Sequence, residues 1–367
     1  MSSVRADFLF PLYFVGWFRV CITLTVNRQG FNITKESMKN RMFGKKVVGL
    51  VVVLLFGFFS LATPASAGTA SWSAEPIPDT TGNVIGPVGV DVRDIAVATG
   101  GATVYAVPGD SVSDNVVYKS TDAGVSWTVL GVEIEAELVA IATDKANMIA
   151  IASEDASSVY LTTDGGSTWN SLGTPQASGG SAAAAIYDIV ISATSDGVNY
   201  IAVAGKEAGD VANVWYFNIG AVVPSWQETN ALAGFSSADV VKAVAFSPDF
   251  PSDRVLVAVT EKDSVSVDFQ MLNVSSEKWN ATAGYAGYPV AIASDNGITD
   301  LTSASISLDT EYAGSSTDRR IAFVGLTVDG DTAARATSGI YRLKDTSREG
   351  LKTGTNVHSL AYDGAGL

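Results

Sequence analysis

Two short stretches of the chain repeat one pattern 42 positions apart: Ser120-Thr121-Asp122-Ala123-Gly124-Val125-Ser126-Trp127 and Thr162-Thr163-Asp164-Gly165-Gly166-Ser167-Thr168-Trp169. Both fit Ser/Thr-x-Asp-x-Gly-x-x-Trp, and each follows an apolar-aromatic pair, Val117-Tyr118 or Val159-Tyr160. A period of about 40 residues is the length of one four-stranded unit in a radial array of sheets. The repeat therefore sets the size of the structural unit before any residue is given a task.

Apolar runs recur at the matching interval, at 94–99, 138–143, 188–193, 242–247, 303–308 and 358–363. After a polar turn, the first five are each followed by a second run, at 103–107, 148–152, 200–204, 254–259 and 320–326. Short runs rich in Val and Ile and bounded by Gly, Asp, Ser and Pro are strands, and no amphipathic helix is expected after residue 68. Near-continuous apolar inner strands predict burial on both faces, as in sheets packed around an axis. The expected fold is all-β, a β-propeller of four-stranded antiparallel blades, with units starting near 94, 138, 188, 242 and 303 and a sixth starting near 357. A sixth unit of one strand, containing His358, implies a six- to eight-bladed ring truncated at its carboxyl end. Thr69-Ala70-Ser71-Trp72-Ser73 resembles the Ser126-Trp127 and Thr168-Trp169 segments, so it is expected to supply the closing outer strand.

The repeated motif has a structural chemistry of its own. A short Asp side chain in a tight turn accepts bonds from nearby backbone N–H groups, and a Gly two positions on takes positive φ without a Cβ penalty. The hydroxyl of Ser120 or Thr162 ties down the other side of the turn, while Trp127 or Trp169 packs into the seam between sheets. Ser120, Asp122, Gly124, Trp127, Thr162, Asp164, Gly166 and Trp169 are accordingly expected to build turns, with no catalytic residue among them. Later units carry decayed copies, with Asn218, Gly220 and Trp226 in the third and Asn273 and Trp279 in the fourth. The fifth keeps 339–345 without a Trp. A motif that decays in this way is a poor carrier of catalysis.

The amino end differs in composition. Lys39, Arg41, Lys45 and Lys46 precede an uncharged run at 47–62 and then Ala65-Ser66-Ala67, the pattern of a secretory signal peptide cut after Ala67. Residues 1–37 are expected to be an over-extended reading frame, 38–67 the signal peptide and 68–367 the propeller, exported to the medium or the cell envelope; an uncleaved membrane anchor is the alternative. After residue 67 the chain holds 15 basic and 36 acidic residues, a net of −21, which disfavours nucleic acid as a partner. Its only cysteine, Cys21, lies in the leader, so thiol and disulfide chemistry are absent from the exported part.

On these residues the chain resembles the Asp-box, or bacterial neuraminidase repeat, family of β-propellers. That family includes sialidases, xyloglucanases, sortilin-type receptors and photosystem II assembly factors. The resemblance covers most of 90–345 and implies Asp-turns between the two outer strands of a blade, away from the active face. In addition, Ser247-Pro248-Asp249-Phe250 followed by Asp253-Arg254-Val255-Leu256-Val257-Ala258 looks like an element of bacterial surface propellers with no assigned chemistry. Sialidases resembling this pattern hold their substrate carboxylate with three arginines, one in a Phe/Tyr-Arg-Ile-Pro motif. Only seven arginines follow residue 67, and the nearest match, Tyr341-Arg342-Leu343-Lys344, lacks Ile-Pro. Arg319-Arg320 reads as an exposed strand end. Xyloglucanase-type hydrolysis needs two aspartates facing a cleft at a set separation, a pair that sequence alone does not choose.

With His358 as the only histidine, histidine-based triads and multi-histidine metal sites have no residues to build them. Asp329-Gly330-Asp331 offers calcium ligands but fits no loop template, so ordinary turn chemistry is expected and no cofactor is assigned. Asn273 and Asn280 stand in glycosylation sequons, and Gly179-Gly180-Ser181 is a flexible connection. The sequence supports an exported, noncatalytic, acidic propeller that binds a protein or glycan at the cell surface. A secreted glycoside hydrolase and a surface-layer structural protein are the alternatives.

Overall fold

The computed structural model describes residues 91–362 except for 110–114, 154, 157, 263–264 and 295–296, and before them only three strands. These are β1 (Ser3–Phe10), β2 (Phe18–Asn27) and β3 (Gly30–Thr34), an antiparallel meander within a separate unit, Met1–Ser71. The signal segment expected at 38–67 and the closing strand expected at 69–73 lie outside the described residues.

The described part of the second unit is built from five antiparallel sheets. The first contains β4 (Val92–Val97), β5 (Val104–Pro108), β6 (Val116–Ser120) and β7 (Thr128–Gly131). In the second are β8 (Leu138–Ala142), β9 (Lys145–Ala152), β10 (Val159–Thr162) and β11 (Asn170–Gly173). The third has β12 (Ala183–Ile191), β13 (Tyr200–Glu207), β14 (Val211–Asn218) and β15 (Trp226–Glu228). The fourth runs through β16 (Val240–Phe246), β17 (Val255–Lys262), β18 (Ser266–Asn273) and β19 (Lys278–Trp279), and β20 (Val290–Ala293) also pairs with β18. The fifth comprises β21 (Ile298–Leu308), β22 (Ile321–Gly330), β23 (Gly339–Lys344) and β24 (Ser347–Thr353). Each sheet keeps chain order from its first strand outward. The first strands pack in succession, β4 on β8, β8 on β12, β12 on β16 and β16 on β21, which arranges the sheets as blades of a propeller.

Two single-turn helices interrupt the strands, α1 (Phe250–Asp253) and α2 (Thr332–Arg335). The Ser-Pro-Asp-Phe element thus forms a helical turn, with Phe250 buried. Asp331, weighed in the sequence as a calcium ligand, caps α2 by accepting from the N–H groups of Ala333 and Ala334, both at 2.9 Å.

Continuous burial falls on the second strand of each sheet more than on the first. β5 and most of β13 and β17 are buried without a break, whereas β4 and β21 are largely half-exposed. A second strand has a partner on both edges, while a first strand leaves one edge at the axis. The core accordingly lies in the seams. Tyr105 and Val117 meet Ile149 and Ile151 between the first two sheets, and Ile186 and Trp215 meet Ala150 and Leu161 at the next. Val214 and Tyr216 then face Leu256 and Trp279, and Phe269 and Met271 face Leu301 and Val324.

The expected sixth strand takes a different form. Residues 357–362 follow β21 without pairing as a strand; His358 lies exposed in a bend rather than in a strand. Serine hydroxyls of β21 hold this tail, with Ser303 Oγ donating to the Val357 carbonyl at 2.9 Å and the N–H groups of Leu360 and Tyr362 donating to Ser305 and Ser307. Gly325 makes the approach possible, because a Cβ there would collide with Val357. The Tyr362 ring lies 4.5 Å from that of Phe323.

Candidate functional site

The two ends of the sheets differ in chemistry, and one recurring backbone bond tells them apart. Ala123, Gly165, Ile219, Val274 and Asp345 each donate an N–H to a carbonyl at the junction of the first and second strands of their own sheet: Ala102, Asn147, Asn199, Arg254 and Arg320. The turns between third and fourth strands therefore share one end with the first hairpins, here termed the hairpin end. The bond also aligns Asp122, Asp164, Asn218 and Asn273 as equivalent positions.

In the first two sheets the turn is bonded in the same way. Ser120 Oγ donates to Asp122 Oδ1 at 2.8 Å and accepts the Gly124 N–H at 2.8 Å, while Asp122 accepts the N–H and hydroxyl of Ser126 at 2.8 and 2.6 Å. Thr162, Asp164, Gly166 and Thr168 repeat the set at 2.7, 3.0, 2.9 and 2.7 Å. Gly124 and Gly166 stand at φ +88° and +94°, a region costly for a side chain. The bonds to Ser126 hold Asp122, and those to Thr168 hold Asp164, at a carboxyl pKa of about 2. Since this lies below the unfolded value of about 3.9, the turns contribute stability above roughly pH 4 and lose it as pH falls toward 2. Asp122→Ala and Asp164→Ala are expected to lower the melting temperature at pH 7, with Asn, which keeps the Oδ1 acceptor, milder than Ala.

The decayed copies are looser. Asn218 Oδ1 accepts only the Gly220 N–H at 3.0 Å, and Asn273 Oδ1 accepts the Ser276 N–H at 2.8 Å. The tryptophans divide in a related way. Trp226 Nε1 donates to the Leu172 carbonyl of the preceding sheet at 2.9 Å, and Trp279 Nε1 to the Thr229 carbonyl at 3.0 Å, so both bridge seams. Trp169 packs in the first seam with no partner for Nε1 among the described residues, and Trp127, half-buried, bonds back to Gly124. Both sequon amides are engaged internally, Asn273 with the Asp253 carbonyl and Tyr285 and Asn280 with the Gly234 carbonyl and Gln270.

The opposite end carries a feature that spacing alone did not disclose. In the first halves of β4, β12, β16 and β21 the register slips, once at Arg93 in β4 and at Lys242 in β16, and twice in the other two, at Ala184 and Tyr187 in β12 and at Thr299 and Thr302 in β21. In the second sheet Glu137 takes the corresponding place, its N–H bonded to the carbonyl of Ala152, the residue that Leu138 faces. Bulges re-aim side chains and occur often beside functional sites. Here such residues come from four of the five sheets, and Glu137 stands at the matching place in the second. Arg93 pairs with Glu137 at 3.1 Å across the first seam, and Lys242 Nζ stands 3.8 Å from the Tyr187 ring centroid across the third.

Directly after two of the bulges stand the carboxylates of Asp94 and Asp188. Asp94 Oδ2 accepts the N–H of Val139, and Asp188 Oδ2 that of Val244, both at 2.8 Å, so each clasps the first strand of the next sheet. Burial raises both pKa values, that of Asp188 to about 7; the Val244 N–H opposes the rise and the like charge of Asp94 adds to it. A raised carboxyl pKa means that stability falls as pH rises from about 4, where the unfolded group ionises, to about 7. Asp188→Asn keeps an acceptor oxygen for Val244 and is expected to flatten this decline in chemical denaturation between pH 4 and 7.

The seven arginines do not converge. Six are ion-paired, each with a different carboxylate: Arg93 with Glu137, Arg254 with Asp196, Arg319 with Glu311, Arg320 with Asp345, Arg335 with Asp329 and Arg342 with Glu349. Arg348 instead bonds to backbone carbonyls. Arg320, expected at an exposed strand end, is buried, because its hairpin folds into the seam between the fourth and fifth sheets. There Asp345 at 2.8 Å and the rings of Tyr285 and Tyr288 receive its charge.

Among solved structures, the chain is similar to the GH74 xyloglucanase from Xanthomonas campestris, with 14% identity, a TM-score of 0.44 and coverage of 70% of this chain and 37% of that one. A GH74 enzyme of Niastella koreensis gives 16% identity, a TM-score of 0.47 and coverage of 74% and 42%. YCF48 bound to D1 peptide gives 13%, 0.40, 72% and 70%. The chain thus spans about two fifths of the length of the two GH74 proteins. No curated protein matches it. The sequence model of the DUF6242 beta propeller domain matches residues 59–312, which take in the first four of the five sheets, and the chain belongs to that family.

Proposed function

We propose that this chain is an exported, noncatalytic β-propeller whose bulge end is a rigid binding face for a protein or glycan at the cell surface. The observation that carries the reading is the set of polar side chains at the bulges of the first strands, with Arg93 fixed to Glu137 and Lys242 to Tyr187 across the seams. A preformed polar face of this kind loses little conformational entropy on binding. Arginines dispersed onto different carboxylates favour it over sialidase chemistry, which needs several guanidiniums on one carboxylate. Export is supported by the basic, apolar and Ala-x-Ala pattern that ends at Ala67. The turns at Asp122 and Asp164 act as structural pins at the far end, as their resemblance to Asp-boxes implies.

A second reading, a glycoside hydrolase, is favoured by one observation: Asp188 has an acid's raised pKa with a second carboxylate, Asp94, near enough to repel it. Against it, an oxygen of each carboxylate is already engaged by a backbone N–H of the neighbouring sheet. Pull-down of envelope polysaccharides and proteins by the wild type and by the double variant Arg93→Ala/Lys242→Ala tests the binding reading. Capture by the wild type, weakened in the double variant, is expected; equal capture by both removes the bulge face from the interaction.

A further inference from the structure

Between the outer strands of the fourth and fifth sheets, a cleft of about 360 Å³ opens. It runs along the outer strands, from Arg348 near the start of β24 to Thr337, Thr353 and the stretch where β20 pairs with the start of β18, toward the bulge end. Ile292 and Ser294 line it from β20 and the residues after it, and Thr337, Tyr341, Arg348 and Thr353 from the fifth sheet. The Tyr341 hydroxyl is spent on the Thr337 carbonyl at 2.5 Å, so the ring is a fixed surface.

Arg348 is the one arginine after residue 67 that bonds only to carbonyl oxygens among the described residues. Its Nη1 donates to Ile292 and, at 3.3 Å, to Ala291. The adjacent acid, Glu349, is taken by Arg342. The guanidinium is therefore held in place, and among the described residues Nε and Nη2 keep their donors and no carboxylate is ion-paired with it. An arginine fork held in this way matches a planar carboxylate. The rest of the polar lining, the hydroxyls of Ser294, Thr337 and Thr353, suits a ligand that carries hydroxyls beside its carboxylate. The volume lies at the lower end of the roughly 300–1,000 Å³ range of ligand sites, which suits one ring better than an extended chain.

We propose that this cleft holds the ring of a carboxylated sugar of hexuronic acid type, with Arg348 on the carboxylate and the hydroxyls of Ser294 and Thr353 on the ring. The assignment deepens the binding reading above and rests on it. Calorimetric titration of the intact exported chain with glucuronate, glucose and acetate tests it, using wild type, Arg348→Gln, Thr353→Val and, as a control on the neighbouring strand, Arg342→Gln. Saturable binding of glucuronate alone is expected, weakened roughly tenfold or more by Arg348→Gln, weakened by Thr353→Val and unchanged by Arg342→Gln. Failure of glucuronate to bind, equal binding of glucose or acetate, or an unaltered affinity in both cleft variants overturns the proposal. Thr353→Val leaves the guanidinium clip intact, so the test stands even if Arg348→Gln does not fold. Where glucuronate fails but envelope material is still captured through the bulge face, only the cleft assignment falls.

Discussion

Replacement of Trp279 by alanine is expected to cost about 3–5 kcal/mol, measured as a shift in the urea unfolding midpoint. The side chain is fully buried, its ring meets that of Phe235 edge-on at 5.2 Å, and its Nε1 holds the Thr229 carbonyl of the preceding sheet. Alanine would leave a cavity at the seam and an unpaired carbonyl, and the sheets on either side are held by their first strands and cannot close over it. Trp127→Ala is the internal comparison. That ring is half-buried and bonds only to its own turn, so its loss is expected to cost much less, near 1 kcal/mol. Equal effects at the two positions would contradict the view that the seams, rather than the turns, hold the blades together.

Removal of Arg320 is the second large effect, also about 3–5 kcal/mol, the usual result when one member of a buried pair is deleted. Its guanidinium donates to Asp345 and to the Gly314 carbonyl at 2.8 Å each, between Tyr285 and Tyr288. Arg320→Ala leaves Asp345 and the Gly314 carbonyl without these donors in the seam between the fourth and fifth sheets. Arg320→Lys retains the charge but not the planar fork that reaches both acceptors, so it is expected to recover less than half of the loss. Full rescue by lysine would reduce the residue to a point charge.

The fold was legible because its signals are local. Val- and Ile-rich runs near 94, 138, 188, 242 and 303 mark the first strands to within a few residues of β4, β8, β12, β16 and β21. The replacement of Asp122 and Asp164 by Asn218 and Asn273 tracks equivalent turn positions even where insertions displace Trp226 and Trp279. What spacing did not reveal depends on contacts between units. The bulges at Arg93, Tyr187, Lys242 and Thr302 are register slips, which shift a side chain without changing the apolar pattern around it. A weak signal is present in Asp94-Ile and Asp188-Ile, where a carboxylate stands inside a strand directly before its apolar run. Arg320 was misread because its partner, Asp345, lies 25 residues away in the chain. Residues 357–362 carry a strand's composition yet bond through serine side chains, a choice made by β21 rather than by the tail itself.

Noncatalytic binding is tested most directly by incubating the intact chain with xyloglucan, sialylated and uronate-bearing glycans while following both retention of the glycan and release of new reducing ends or free sialic acid. Retention without release is expected, with Asp94→Asn and Asp188→Asn unchanged in what they retain. Turnover by the wild type that disappears in either asparagine variant would contradict the account and make the axial carboxylates an acid–base pair.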